Sequence, residues 1–415
     1  MTADVVIVGA GAAGIGAGLA LQARGVPFVI LEAADRIGGR AYTDTSSLPG
    51  QWDQGCGWLH CADVNPLVGW ADRLGTVYER DDRGEKVLFW SEGRWLNASE
   101  RDTVHRSIAD RFDAIYEASR QGRDVPISAI PAPEGIGSAF AETLVQLMCS
   151  EDPEQASAAG YGDYDDTGVN WVVTSGYGDL IMRMAAGLPI RTSTEVTGVT
   201  HHQGGVRVHT RTGTLEARAA IVTVSTNVLR SGRIALPDGP AQQMLELVEG
   251  VPCGTYEKIA IALDQAPFDL GDNLGIWMQA DAGASPIFFQ IAGTKTPLLI
   301  AHVAGTDARD LVSAGEEAMT AFAVENLAHA IGSDIRKLIC GTAVTRWQTN
   351  PFVQGGYSNA RPGAAQNRRD MIALDTGAIA FAGEAFSRPW YATAHGAYQS
   401  GQDVANRLAG RLIQP

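Results

Sequence analysis

The sequence predicts an α/β protein, in which a Rossmann-like dinucleotide-binding domain is interwoven with an α+β substrate domain of mixed or antiparallel sheet plus helices. Three observations carry this reading. Residues 4–32 hold an apolar strand, a glycine-rich turn, an alanine-rich helical stretch and a second apolar strand ending in an acid. Strand-like alternation dominates 195–303, and an apolar strand ending in glycine returns at 379–383. The opening strand–helix–strand order marks a parallel sheet, because parallel neighbours need a crossover connection.

Asp4-Val5-Val6-Ile7-Val8-Gly9 is the first strand, the helix after it runs to Arg24, and Phe28-Val29-Ile30-Leu31 is the second strand. Between Ser99 and Gln121, Val104, Ile108, Phe112 and Ile115 recur at helical spacing with Ser99 as the expected N-cap, and a more apolar helix is expected over Ala139 to Met148. This helical block reads as an insertion into the nucleotide fold. Val196 to Thr200, Val206 to Thr210 and Thr214 to Ala217 alternate around glycine turns and predict a β-meander; Ala220 to Val224 then reads as a buried strand rejoining the first sheet. Runs at Lys258 to Leu263, Leu274 to Met278, Ile287 to Ile291 and Leu298 to Val303 predict a second, largely antiparallel sheet, with a helix over Gly315 to Ala330 after it. A last helix is expected from about Ala394 to Leu412, and no internal repeat is visible.

With 415 residues, 45% hydrophobic and 19% charged, the chain has the composition of folded globular material, long enough for two intertwined domains. A formal net charge of −15 without a Lys/Arg run excludes nucleic acid as an expected partner, since phosphate binding needs a concentrated basic face. Acidity favours cationic substrates through long-range steering, although solubility alone accounts for it. No segment has the length and apolarity of a membrane span, no basic leader precedes the first strand, and Arg411-Leu412-Ile413-Gln414-Pro415 is no hydrophobic tail, so no membrane association is expected. Five cysteines at irregular positions (Cys56, Cys61, Cys149, Cys253, Cys340) form neither a disulfide framework nor a paired metal motif. A cytoplasmic location fits them and no metal is expected. The oligomeric state stays open, a homodimer being one option.

Gly9-Ala10-Gly11-Ala12-Ala13-Gly14 lies between the first strand and the first helix. In such a turn Gly9 permits the tight bend, Gly11 lets a diphosphate approach bare backbone, Gly14 lets helix and strand pack closely, and Ala12 and Ala13 open the helix whose positive end faces the diphosphate. Glu32 follows Gly14 at about the interval at which an acid meets the ribose hydroxyls of a dinucleotide.

The continuation Glu32-Ala33-Ala34-Asp35-Arg36-Ile37-Gly38-Gly39-Arg40-Ala41-Tyr42-Thr43 resembles the extended motif of the flavin-containing amine oxidases, phytoene desaturases and protoporphyrinogen oxidases. The resemblance to the amine oxidases spans nearly the whole chain. Gly55-Cys56-Gly57-Trp58-Leu59-His60 is similar to a segment of their polyamine oxidase branch whose histidine faces the substrate, although a lone histidine is more often structural. Asn170 to Val173 with Gly176 to Leu180, and Val222 to Leu229 with Ser225 in place of the usual proline, resemble two further segments. Gly254-Thr255-Tyr256-Glu257-Lys258-Ile259 resembles the strand whose lysine holds a water near flavin N5. A lysine within an apolar strand is costly to bury without such a partner, which favours this role for Lys258 over the alternative of a solvent-facing strand edge. Phe381 to Ser387 and Trp390 to Gly401 resemble the C-terminal flavin segment, and Arg346-Trp347 with Gly355-Gly356-Tyr357-Ser358 resemble the aromatic channel wall.

The resemblance implies FAD as cofactor, contacted by Gly9, Gly11, Ala12, Ala13, Gly14, Glu32, Ala33, Gly38, Gly39, Arg40, Gly57, Trp58, Val196, Trp347, Gly383, Glu384, Thr393 and Ala394. It implies substrate-facing or catalytic roles for Lys258, His60, Tyr357, Trp390 and Thr393. The last helix would aim its positive end at the flavin and stabilise reduced-state charge. No cysteine stands at 355–358, where monoamine oxidases bind flavin covalently, so the FAD is expected to be noncovalent. Thr393 stands where their second cage tyrosine would be, as in acetylpolyamine and spermine oxidases and histone lysine demethylases. With His60, this points to the polyamine branch.

Implied domain parts are 1–78, 170–250 and 346–415 for FAD, and 79–169 (helical) and 251–345 (sheet plus helix) for substrate. The implied reaction passes a hydride from an amine α-carbon to flavin N5, giving an imine, then aldehyde or ketone, and hydrogen peroxide with oxygen as acceptor; the partner is a small amine, a polyamine or another N-alkyl amine. An L-amino acid oxidase or an FAD-dependent desaturase shares the fold, and a non-catalytic flavin-binding scaffold is the alternative of another class. Asp163, Asp165 and Asp166 beside Tyr161 and Tyr164 read as a solvated loop, with attraction of a polycation as the sharper reading.

Overall fold

The computed structural model describes residues 3–81, 86–268, 275–281, 284–292 and 297–413. Leu274 of the expected strand, and Gln414-Pro415, lie outside them.

The first sheet has five strands in the order Ile190–Arg191, Phe28–Leu31, Val5–Val8, Ala219–Val222, Ile379–Phe381, and every neighbouring pair is parallel. All four residues of Val5–Val8 are buried, as a parallel strand covered on both faces requires. One cover is the helix Ala12–Ala23; the helix Ala394–Ile413 packs on it so closely that a Cβ on Gly401 would stand 2.0 Å from the Ala13 carbonyl oxygen. The meander forms as expected from Val196–His202, Gly205–Thr210 and Gly213–Ala217.

The second sheet has seven strands, in the order Ile339–Val344, Tyr256–Leu263, Leu298–Ala304, Ile287–Ala292, Gly275–Met278, Val87–Ser91, Arg94–Trp95. All its pairs are antiparallel except Gly275–Met278 with Val87–Ser91. One face, with Ile259, Ile261, Ile276, Phe289 and Leu299, packs on Met319, Ala323 and Leu327 of the helix Glu316–Ile331. The period of two then turns Lys258, Trp277, Phe288 and His302 to the opposite face.

Some local expectations are corrected. The N-cap of the helix Ala98–Arg120 is Asn97, not Ser99, because Asn97 and Glu100 form a reciprocal capping box. The helix expected over Gly315 to Ala330 is preceded by another, Gly305–Ala314, and Gly315 at φ +98° separates the two. Asp163 is no solvated loop residue: it is buried and paired with Arg369 at 2.7 Å and Arg388 at 3.3 Å. No helix among the described residues is long and apolar enough to cross a membrane.

Candidate active site

One cavity of about 870 Å³ runs from the glycine turn of the first sheet to the outward face of the second. At the first end, Gly11 is the N-cap of Ala12–Ala23 and gives the helix no side-chain cap, so its first-turn N–H groups stay open to a ligand. Gly14 is there for packing: a Cβ would sit 1.9 Å from the Gly9 carbonyl oxygen. Gly11 is different, since its Cβ would meet only the Gly38 carbonyl oxygen, at 3.9 Å. Glu32 accepts the backbone N–H groups of Ala10 at 2.7 Å and Ala34 at 2.9 Å, which ties the two loops of this end together.

Glu384 is the electrostatic centre of the middle. It accepts from Arg40 at 3.0 Å, from the Ser358 hydroxyl at 2.6 Å and backbone at 3.1 Å, and from the Ala392 backbone at 3.0 Å. Burial alone would raise its pKa, but Arg40, Ser358 and the fully buried Arg368 hold it below the usual carboxylate range. Arg40 also donates to the Gly356 carbonyl.

Lys258 crosses from the second sheet to the first end. It is 3% exposed, which removes the solvent-facing reading, and Nζ donates to the carbonyl oxygens of Gly55 at 2.7 Å and Asp53 at 2.9 Å. Burial lowers its pKa to about 8, with the Asp53 carboxylate pulling the other way. Asp53 in turn accepts from the Thr43 hydroxyl and from Tyr177 and Gly178 at the start of the helix Tyr177–Met184.

Among the substrate-facing candidates, His60 borders the cavity and its Nδ1 lies 2.6 Å from Oδ1 of buried Asn170. Tyr357 borders it as well, its hydroxyl donating to the Leu147 carbonyl and its ring centroid 5.4 Å from that of Tyr256. Thr393 caps the last helix: its hydroxyl accepts from Gly396 at 3.0 Å and donates to the Trp390 carbonyl at 2.6 Å. Trp347 donates to the Gln54 carbonyl at 3.1 Å.

All the cofactor-facing candidates border the cavity except Gly14, which lies beneath the turn. Trp390 is the exception among the catalytic candidates: its ring packs against His395, with centroids 5.3 Å apart, and does not border the cavity.

Tyr256, Trp277, Phe288 and His302 were not singled out from the sequence as site residues, yet they border the cavity. A signal was present: His302 interrupts the buried run Leu298–Ala304 just as Lys258 interrupts Tyr256–Leu263.

A strand–turn–helix with open N–H groups, a loop-binding acid and an aromatic chamber beyond a buried lysine define a dinucleotide-dependent oxidoreductase. The family description "Flavin containing amine oxidoreductase" matches residues 154–409, and "NAD(P)-binding Rossmann-like domain" matches 7–74. The chain belongs to the flavin-containing amine oxidoreductases.

Polyamine oxidase 2 of Arabidopsis thaliana is 27% identical over 99% of this chain and 89% of its own length. Human lysine-specific histone demethylase 2 is 25% identical over 98% of this chain but 53% of its own length. The solved structure of cyclohexylamine oxidase from Brevibacterium oxydans IH-35A superposes with a TM-score of 0.82 at 18% identity, covering 100% of both chains, and so shares the fold.

The residues fit a flavin dinucleotide. The uncapped helix end with the bare Gly11 backbone suits a diphosphate, and the cavity continues past Lys258 into the aromatic chamber.

Proposed function

We propose that this protein oxidises a small amine, a polyamine or another N-alkyl amine, with noncovalently bound FAD and oxygen as acceptor, in the cytoplasm. In this reading 1–78, 170–250 and 346–415 hold the FAD, and 79–169 and 251–345 hold the substrate. The observation that carries it is Lys258, a buried cation of the second sheet hydrogen-bonded to the Asp53 and Gly55 carbonyls of the first end, where the two halves of the cavity meet. Bound FAD would supply the two-electron acceptor, taking a hydride from the amine α-carbon at N5 and passing both electrons to oxygen, which would leave as hydrogen peroxide while the imine is hydrolysed by water.

The chain's own groups bind and orient. Tyr357, Tyr256 and Trp58 border the cavity with rings suited to hold an ammonium by cation–π contact, and the Lys258 charge favours the neutral amine, the form whose lone pair drives hydride loss. His60, fixed by Asn170, offers an imidazole to the substrate. Cys56 is the one cysteine bordering the cavity among the described residues, and burial pushes its thiol up to about 11, in keeping with noncovalent flavin. Against an amino acid oxidase, the arginines bordering the cavity are Arg36, Arg40 and Arg233, of which Arg36 follows the nucleotide loop, Arg40 is paired with Glu384, and Arg233 is paired with Glu195 beside Val196.

Anaerobic stopped-flow mixing with spermidine, acetylated polyamines, simple monoamines and L-amino acids tests the proposal. Bleaching of the flavin band by one amine class supports it. If dithionite bleaches the flavin and none of these does, the amine-oxidase reading fails for them.

A further inference from the structure

Five strands of the second sheet contribute one residue each to a single row. Lys258 is directly opposite His302, His302 opposite Phe288, Phe288 opposite Trp277, and Trp277 opposite Phe89. Directly opposed residues share a face with Cβ atoms ~5 Å apart. The sheet thus turns one cation, one imidazole and three aromatic rings to the cavity, which all five border.

His302 is 2% exposed, and its Nε2 is buried with no hydrogen-bond partner among the described residues. Its Nδ1 lies 2.6 Å from the Tyr256 hydroxyl. Burial keeps that phenol protonated, and no other acceptor for it is found among the described residues, so Tyr256 donates to Nδ1. Burial and then the Lys258 charge keep the imidazole neutral, which leaves its one proton on Nε2. A buried N–H without an acceptor is expensive, and in a cavity wall the natural acceptor is a ligand. No carboxylate stands in the row, Asp166 of the Tyr164 segment bordering the cavity from outside the row, and the row's one charged side chain, Lys258, repels a second cation placed against the sheet.

We infer that His302, held by Tyr256, is a specificity-determining donor of the substrate site, which takes an uncharged oxygen on the arm of the amine in place of a second ammonium. The preferred substrate then carries one amine, an ether- or carbonyl-type oxygen, and an apolar remainder against Phe288, Trp277 and Phe89. This rests on the amine-oxidation reading above and narrows it.

The test uses the flavin-loaded enzyme and primary amines of hexylamine length in which an ether oxygen replaces one methylene at successive positions. Hexylamine and the terminal diamine are the references. Affinities are measured by calorimetry and flavin-band perturbation on α,α-dimethyl forms, which lack the α-hydrogen and cannot react; flavin bleaching is followed with the oxidisable forms.

One ether position is expected to bind about tenfold more tightly than the all-methylene chain, the worth of one net hydrogen bond, and the diamine no more tightly than that chain. His302→Phe should bring the ratio of ether to all-methylene affinity down to about one, whatever it does to the methylene chain itself, and Tyr256→Phe should reduce that ratio by loosening the tautomer. Equal affinity at every ether position, a diamine tighter than every ether, or an advantage that survives His302→Phe or is untouched by Tyr256→Phe overturns the inference. An ether preference that depends on His302, with no bleaching by any amine, keeps the donor role and sinks the amine-oxidation reading instead.

Discussion

The two ends of the cavity are built on opposite principles. At the nucleotide end charge is met by charge or by backbone N–H: Glu32 by two loop amides, Glu384 by Arg40, Ser358 and Ala392. At the other end the second sheet offers aromatic rings, one cation and one imidazole whose Nε2 has no hydrogen-bond partner among the described residues. A connected polar network responds as a unit, because deleting one member leaves its neighbours without their partner. An aromatic wall tolerates exchange and shifts selectivity instead. Substitutions at the first end should therefore act on folding and cofactor retention, and those at the second on rate and choice of substrate.

The largest effect is expected at Glu384. Glu384→Ala removes the anion beside the buried Arg368 and the partly buried Arg40, a loss of about 3 kcal/mol. Chemical denaturation of the purified variant measures it, and a stability equal to the parent's would refute the network view.

The glycine turn sharpens the comparison. Gly14→Val places side-chain atoms inside the Gly9 backbone and should prevent folding, whereas Gly11→Val has room in the protein itself and obstructs only the diphosphate. Gly11→Val is expected to be soluble, colourless and to melt like the flavin-stripped parent. Retained yellow colour would remove Gly11 from the cofactor site.

Lys258→Met should slow flavin reduction or reoxidation by ~100-fold, within the usual span for a positioned proton-handling group. Its pH signature has a definite sign. The folded pKa near 8 lies below the unfolded value of 10.5, so the unfolded chain holds more protons between those limits and stability rises with pH there. The buried ammonium is thus a burden below pH 8 that fades towards pH 10.5. The melting temperature of Lys258→Met minus that of the parent should be more positive at pH 7 than at pH 10; the reverse order would mean that Lys258 is not desolvated.

Ser225→Pro is the mildest test. Ser225 has φ −62°, which proline can adopt, and the change deletes only the cap on Val228 and the bond to the Val353 carbonyl. A loss of about 1 kcal/mol is expected, readable by thermal melting; a collapse would show that the strand end tolerates no substitution.

Legibility followed the same divide. The glycine-turn part of the first end is contiguous: strand, Gly9 to Gly14, helix and Glu32 lie in one short stretch, and each residue type has a local backbone reason to be there. The second sheet's strands were visible by alternation, but their order and register were not. Nothing local states that Lys258 faces His302, or Phe288 faces Trp277, since those pairings are settled by packing across the sheet. Asp163 was misread for the same reason: its arginine partners, Arg369 and Arg388, lie more than two hundred residues further along. Asn97 was overlooked although local, because Ser99 is also a good cap and only the Glu100 side chain decides between them.

The bond from Arg40 to Glu384 spans 344 residues, and the closing helix against Ala12–Ala23 extends to Ile413. A chain emerging from the ribosome therefore exposes its glycine turn long before it completes the cradle around it, which waits for Glu384 and the helix Ala394–Ile413. Partial translation products that lack Glu384 and the closing helix should have no capacity to retain flavin, and during elongation the uncovered apolar face of Ala12–Ala23 is a surface for chaperones to occupy. Cofactor acquisition should then wait for the segment that carries Glu384 and the closing helix, so flavin supplied before that segment is made has no complete site to enter.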